Sequence, residues 1–409
     1  MRSATSTSDT TFPRARSARS EALVTPLVLT GVFAAAQVGK AIICMPAIRL
    51  EMLLGLDVAG LLVAVFATLG ALGGVGAGAI VSRIGLHRSL VGGLSAIAAG
   101  NLLGFYASDA ETLLVARILE GIGFFGVVLS VPSLLAGLLS GANRNFVMAV
   151  WSAYMPTGIM LMLLLAPALP VIGWRNLWLA NGAAAMVLMI FWSVRIGAVT
   201  SIETANGNQR TDIWIKSAIK VLGKKQCIAA AVAFFAYSCQ IFSMSFALPH
   251  YLTSIYAISI GTAGLLSGFV LAVSVAGHVA SGYLLRAGLR IWACVAVALL
   301  TFSVLSIYIY STALSTSATI ILAAISLGVG GLAPGALYAS APHISPTSDS
   351  VPTTIGLLQQ ASNLGQLAGP MMVGALAAHF GWPSAAFAVA PIAIAGSLTS
   401  ILLRGAENK

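Results

Sequence analysis

Three ionisable side chains, Lys40, Arg117 and Glu120, interrupt apolar stretches long enough to cross a bilayer. A charge at that depth costs roughly 3 kcal/mol on insertion scales, so each is expected to face a wet cavity or a partner. Lys40 stands about seven residues from one end of its stretch, roughly 10 Å along a helix. Arg117 and Glu120 lie at i and i+3, a spacing at which helical side chains pair. Two cations against one carboxylate would suit an anionic substrate. Glu120 is the proton-coupling candidate: burial opposes its ionisation while Arg117 favours it, which leaves its protonation responsive to substrate and conformation. The alternatives are a Lys40 that snorkels to the headgroups and an Arg117–Glu120 pair that only locks helices together.

A second set is polar but uncharged at neutral pH. Gln359, Asn363 and Gln366 recur at four and three residues and share a helix face, with Gln360 beside them. Their amides can bond a substrate or tie helices to one another. Gln37 stands one turn from Lys40, Gln240 interrupts another apolar stretch, and Trp151 and Tyr154 share a face. These four are candidate cavity residues, with packing as the alternative. His278 is the only histidine of five well inside an apolar stretch, where it serves either proton transfer or packing. Cys239, Met244 and His250 do not make a metal site, because residues 239 and 250 are separated by three helical turns, about 16 Å, and Met244 points elsewhere. No Ser/His/Asp set, Walker loop or Cys/His ligand pattern occurs, which argues against an enzyme, direct use of ATP, or a bound metal or other cofactor.

The elements that hold these residues are apolar throughout. Only 21 Lys or Arg and 11 Asp or Glu occur in 409 residues, 58% of the chain is hydrophobic, and mean hydropathy is +0.97. A soluble enzyme, a secreted domain and a nucleic-acid binder are therefore excluded in favour of a multi-pass membrane protein. Twelve apolar segments are readable, at about residues 24–47, 57–81, 89–107, 112–138, 146–168, 175–196, 227–250, 262–285, 291–312, 318–341, 354–378 and 384–404. Their 42 glycines read as close-packing surface between helices. With the N-terminus inside, seventeen of the 21 basic residues fall on one side, only Arg49 and Arg175 on the other, and Lys40 and Arg117 within segments. The bias places both termini in the cytoplasm and the protein in the cell's inner, or plasma, membrane. The expected organisation is a disordered cytoplasmic tail over 1–22, a six-helix bundle over 23–196, a basic cytoplasmic linker over 197–226, a second six-helix bundle over 227–405 and a short tail over 406–409.

An internal repeat supports the six-plus-six division. Arg83-Ile84-Gly85 after segment 2 returns as Arg286-Ala287-Gly288 after segment 8, Gly121-Ile122-Gly123 as Gly328-Val329-Gly330, and Gly173-Trp174 as Gly381-Trp382. The halves therefore run in the same direction, the pattern of repeats related by an axis along the membrane normal with a substrate site between them.

On these residues the chain resembles the major facilitator superfamily of secondary transporters. Its signature between spans 2 and 3, G-x-x-x-D-R-x-G-[RK]-[RK], matches at Gly78, Arg83, Gly85 and Arg88, with Ser82 in the acidic position. In span 4 the family's R-x-x-Q-G-x-G is similar to Arg117-Ile118-Leu119-Glu120-Gly121-Ile122-Gly123, with Glu for Gln. The span 5 motif of proton-driven drug antiporters is matched weakly, at Tyr154-Met155-Pro156-Thr157-Gly158. The texture is similar to that of the branch containing cyanate and nitroimidazole permeases and does not name a substrate.

The resemblance implies an all-α fold of twelve transmembrane helices in two pseudo-symmetric bundles, a monomer, and a central cavity lined by spans 1, 4, 7 and 10. It places Gly78, Arg83, Gly85, Arg88, Arg286 and Gly288 in cytoplasmic gating motifs. It also puts Lys40, Arg117 and Glu120 near one another at the cavity. The expected activity is alternating-access transport of a small organic solute, with proton-coupled uptake of an organic anion leading and proton-coupled efflux of drugs or metabolites as the alternative.

Overall fold

The computed structural model describes residues 11–54, 56–195 and 214–406. Twelve long helices carry the described chain: α1 (Thr11–Glu51), α2 (Leu56–Ile84), α3 (Leu86–Tyr106), α4 (Ala110–Leu138), α5 (Gly141–Ile172), α6 (Trp174–Val194), α7 (Lys225–Tyr256), α8 (Ile260–Arg286), α9 (Ile291–Ser311), α10 (Thr316–Ile344), α11 (Val351–Phe380) and α12 (Trp382–Ser400). A short helix, Trp214–Leu222, precedes α7. Eleven of the twelve are long and apolar enough to cross a membrane. The other, α11, has 30 residues and so ample length, but its four amides dilute its hydropathy. Residues 1–10 of the expected tail, 196–213 around the expected linker and 407–409 lie outside the described residues. The helix α1 starts at Thr11, well before the apolar segment expected from about residue 24.

The fold is all-α, with α1–α6 and α7–α12 as two pseudo-symmetric sets of six. Four pairs of positions fix their correspondence. Gly85 and Gly288 adopt φ of 98° and 94°, and Gly173 and Gly381 adopt 78° and 81°. Glycine is needed at these turns because a Cβ makes positive φ costly. Pro46 lies inside α1 and Pro249 inside α7, 203 residues on. Gly158 lets α5 close on α1, where a Cβ would sit 2.5 Å from Val32 O, and Gly365 does the same for α11 on α7, 2.5 Å from Phe235 O.

Two helices are interrupted. In α5 a turn at Ser152–Ala153 separates Gly141–Trp151 from Tyr154–Leu165, and in α10 Gly331 separates Thr316–Gly330 from Leu332–Ile344. Pro156 and Pro334 follow the breaks and explain them: each lacks the N–H that would bond the carbonyl four residues earlier, and its ring crowds that carbonyl.

Between the two sets, contact is concentrated where α2 ends and α3 begins, the end that carries Arg83, Arg88, Arg286 and Arg290. There α2 meets α11 backbone to backbone, a Cβ at Gly74 falling 2.6 Å from Gly356 O. On the facing pair, Phe146 of α5 stacks edge-on with Tyr283 of α8 at 5.0 Å.

Candidate substrate cavity and buried charge cluster

A cavity of about 280 Å³ lies between the two sets of helices, walled by α5 on one side and by α7, α8, α10 and α11 on the other, with Ile42 of α1 at its edge. Tyr154, which follows the break in α5, lines it, together with the small side chains of Ser238, Ser245 and Ser274 among the larger residues of α7 and α8. At its centre Gln359 of α11 accepts two hydrogen bonds on Oε1, from Tyr338 (2.8 Å) and Tyr154 (3.3 Å). Trp151 is fully buried and stacks on Tyr154 at 4.5 Å, 12° from parallel, so it fixes the tyrosine without lining the cavity. His278 places Nδ1 2.7 Å from Ser274 O; because a carbonyl only accepts, Nδ1 is the donor. Tyr237 crosses its ring edge-on at 6.4 Å. Among the described residues, no Asp, Glu, Lys or Arg lines this cavity.

The charges lie elsewhere, inside the first six helices. Lys40 Nζ donates to Glu120 Oε1 (2.8 Å), Asn101 Oδ1 (2.5 Å) and Gln37 Oε1 (3.0 Å), and sits 4.0 Å from the centre of the Trp178 ring. Arg117 donates to the other oxygen of Glu120, to Gln37 O (3.0 Å) and to Leu62 O (3.2 Å), with Phe66 covering its guanidinium at 4.2 Å. Gln37 passes the chain on to Asn181 of α6 at 3.0 Å. All three charged residues are at most 1% exposed.

The structure thus brings Lys40, Arg117, Glu120 and Gln37 together, as expected, but not at the cavity. The correction has a plain cause: all three ammonium donors are spent on Gln37, Asn101 and Glu120, and two aromatic rings seal the rest. Neither snorkelling nor an open cationic face describes Lys40.

The amide face of α11 divides in the same way. Gln359 and Gln366 line the cavity, whereas Asn363 packs where a Cβ on Gly70 of α2 would be, and Gln360 bonds the α2 backbone, accepting from Val75 N (3.0 Å) and donating to Ala71 O (2.9 Å). Gln240 lies inside the second six helices and donates to Leu299 O at 3.2 Å. Of the expected site residues, Tyr154, Gln359, Gln366 and His278 therefore meet at the cavity. Sequence reasoning missed Asn101 and Asn181, polar side chains inside apolar segments whose signal was available, and Tyr237 and Tyr338, which nothing in the sequence distinguishes from packing aromatics.

At the basic end, Ser82 Oγ lies 3.3 Å from Thr353 Oγ1, a neutral contact between α2 and α11 where the family signature has an acid. Arg286 donates to Asn143 Oδ1 at 2.8 Å and covers Phe146, and His343 Nε2 meets Asn145 Oδ1 at 3.0 Å. Gly78 faces the Pro352 backbone, and Gly85 turns the chain between Arg83 and Arg88. Among the described residues, the hydrogen bonds that join the two sets of helices run from mid-cavity, at Tyr154–Gln359, to this end.

The sequence matches the Major Facilitator Superfamily over residues 27–348. The chain belongs to this superfamily. No curated protein matches the sequence. Solved structures share the fold of this facilitator at low identity. The human organic anion transporter MFSD10 (TETRAN) superposes with a TM-score of 0.73 at 14% identity, over 93% of this chain and 99% of that one. A variant of the E. coli fucose:proton symporter FucP gives 0.71 at 12%, over 92% and 97%. The proton:xylose symporter XylE bound to 6-bromo-6-deoxy-D-glucose gives 0.69 at 13%, over 94% and 96%. The facilitator is a multi-pass membrane transporter, and its family and fold are those of transporters rather than enzymes.

Proposed function

We propose that this facilitator moves a small, uncharged or weakly polar organic solute carrying an aromatic or other flat apolar part, coupled to protons, by alternating access. One observation carries the substrate class: the lining of the central cavity is apolar and aromatic, with hydrogen-bonding groups from Gln359, Gln366, His278, the tyrosines and a few serines, and no charge among the described residues. Such a lining gives hydrophobic affinity with a few orienting polar groups. It would leave a carboxylate unpaired at bilayer depth, a cost the solute would have to carry itself.

Glu120 is the proton-coupling residue in this reading, with Lys40 and Arg117 as the charges that set its affinity for a proton, and His278 as the group that senses the solute. The basic end is cytoplasmic. Contacts concentrated there support a conformation closed to the cytoplasm, with the bundles 23–196 and 227–405 rocking as a monomer about the cavity in the inner membrane. A second reading, uptake of an organic anion, is favoured by the two-to-one excess of cations over carboxylate in the cluster. It requires another conformation to open the cluster to the cavity.

The deciding experiment is thermal stabilisation of the purified protein against neutral aromatic metabolites, small carboxylates and lipophilic cations, since a ligand bound to the folded state raises the melting temperature. The leading reading expects stabilisation by a neutral aromatic that is lost in Gln359→Ala and kept in Lys40→Met. Stabilisation by a carboxylate that is lost in Lys40→Met overturns it in favour of the anion reading. Proteoliposomes carrying the hit then test coupling: a pH gradient should drive accumulation in the wild type and not in Glu120→Gln, while solute exchange without a gradient persists in both.

A further inference from the structure

The positions that form the charge cluster in the first six helices recur in the second six, where they line a different kind of space. The proline pair sets the register of α1 against α7, and 203 residues after Gln37 and Lys40 stand Gln240 and Ser243. Gly123 packs its backbone on Ile97 and Gly330 packs on Phe302, which fixes α9 against α3 at 205 residues and puts Ser306 in the place of Asn101. Gly173 and Gly381 put Val389 in the place of Asn181. The Gly-x-Gly pair of α4 and α10 puts Leu327 in the place of Glu120 and Ala324 in that of Arg117. Every charge of the cluster is therefore matched by a neutral residue.

Gln240, Ser243, Ser306 and Val389 all line one small cavity, of about 20 Å³, between α7, α9, α11 and α12. Gln240, Ser243 and Ser306 are 1%, 4% and 9% exposed. Gln240 Oε1, Ser243 Oγ and Ser306 Oγ have no hydrogen-bond partner within the protein. The amide of Gln240 cannot be turned round to relieve this, because its Nε2 donates to Leu299 O. Three orphaned oxygens at one buried point cost too much to be left so.

We propose that this cavity is a binding site for a single buried water molecule, which occupies in the second half the place that the Lys40 ammonium holds in the first. The two groups are of similar size, and Gln37 Oε1 and Asn101 Oδ1, the counterparts of Gln240 Oε1 and Ser306 Oγ, are the oxygens that receive the ammonium. A water needs roughly 10–15 Å³ of this kind of space and typically makes about three hydrogen bonds. Here it donates to Gln240 Oε1 and exchanges donor and acceptor roles with the two hydroxyls, which satisfies all three atoms. A monovalent cation fits worse. It would take the lone pairs and leave both hydroxyl protons without acceptors, and no carboxylate offsets its charge, since Leu327 stands where the first half has Glu120.

The test is a structure of the full-length protein, at a resolution that resolves ordered water, in sodium chloride and again in choline chloride. The expected result is one peak at hydrogen-bonding distance, about 2.7–3.2 Å, from all three oxygens in both salts. A peak present only with sodium, or a closed cavity in which the three oxygens bond one another, overturns the proposal. Two variants add an independent arm. Ser306→Asn restores the residue of the first half, and its larger side chain should expel the peak with the melting temperature unchanged. Ser306→Ala should lower the melting temperature. Equal loss in the two variants, or a peak that survives Ser306→Asn, counts against the inferred site.

Discussion

Lys40 is held by three acceptors, and Glu120 by two cations, so the members of the cluster are not equivalent when removed. Glu120→Gln leaves two buried cations facing one another without a counter-charge, and breaking a buried pair in this way costs about 3–5 kcal/mol. Lys40→Met leaves the Arg117–Glu120 pair intact and orphans acceptors on Asn101 and Glu120, a cost of about 1–3 kcal/mol. Thermal unfolding in detergent should therefore rank wild type above Lys40→Met above Glu120→Gln; the reverse order would mean that the carboxyl is neutral in the folded protein. At the cavity, Tyr338→Phe removes the 2.8 Å bond to Gln359 and keeps the ring. The expected outcome is weaker solute binding with little loss of stability, measured as a raised half-saturation concentration at near-normal melting temperature. The Arg117–Glu120 pair was legible from the i, i+3 spacing, and the approach of Lys40 to it from the family resemblance. Which way they turn was not: a step of one residue swings a helical side chain by about 100°, and two of the three acceptors that claimed Lys40, Asn101 and Glu120, come from α3 and α4, 61 and 80 residues on in sequence.

At the scale of helices, the closed basic end depends on glycines that bring α2 onto α11. A side chain at Gly74 would meet Gly356 O at 2.6 Å and Gln360 Cβ at 2.7 Å, so backbone as well as side chain would have to yield. Gly74→Val is expected to hold the two helices apart and shift the population toward the state open at the basic end. Labelling of Thr353→Cys by a membrane-impermeant thiol reagent added at that end should rise several-fold on this background. Unchanged labelling would show that α2 and α11 do not form the gate. The twelve helices and their order were legible because eleven carry an apolar run of bilayer length and the twelfth, α11, keeps that length despite its amides. The breaks in α5 and α10 were not, since hydropathy is blind to a local turn; Pro156 and Pro334 carried the only signal. The amides of α11 illustrate the same limit: their shared face was readable, but not its division between cavity and α2, because that depends on where the neighbouring half sits.

For the molecule as a whole, transport requires the basic end to open. Ser82 Oγ and Thr353 Oγ1 stand 3.3 Å apart across the two halves, close enough that cysteines at both positions would oxidise to a disulfide after small side-chain rotations. The four native cysteines are all buried, so oxidation should be confined to the introduced pair. Ser82→Cys/Thr353→Cys is expected to lose transport on oxidation and regain it with reductant, while binding of solute from the opposite side persists, because the cavity itself is not deformed by a lock at its floor. Either single variant should transport under both conditions. Transport that survives complete cross-linking would mean that the solute does not pass between the two halves at this end, and alternating access about the Tyr154–Gln359–Tyr338 cavity would have to be abandoned. The repeat that made this geometry readable, Gly85 with Gly288 and Gly173 with Gly381, also explains why one lock suffices. Halves that run in the same direction are related by an axis along the membrane normal and rock about the site between them, so a cross-link between them at one end blocks the opening of that end.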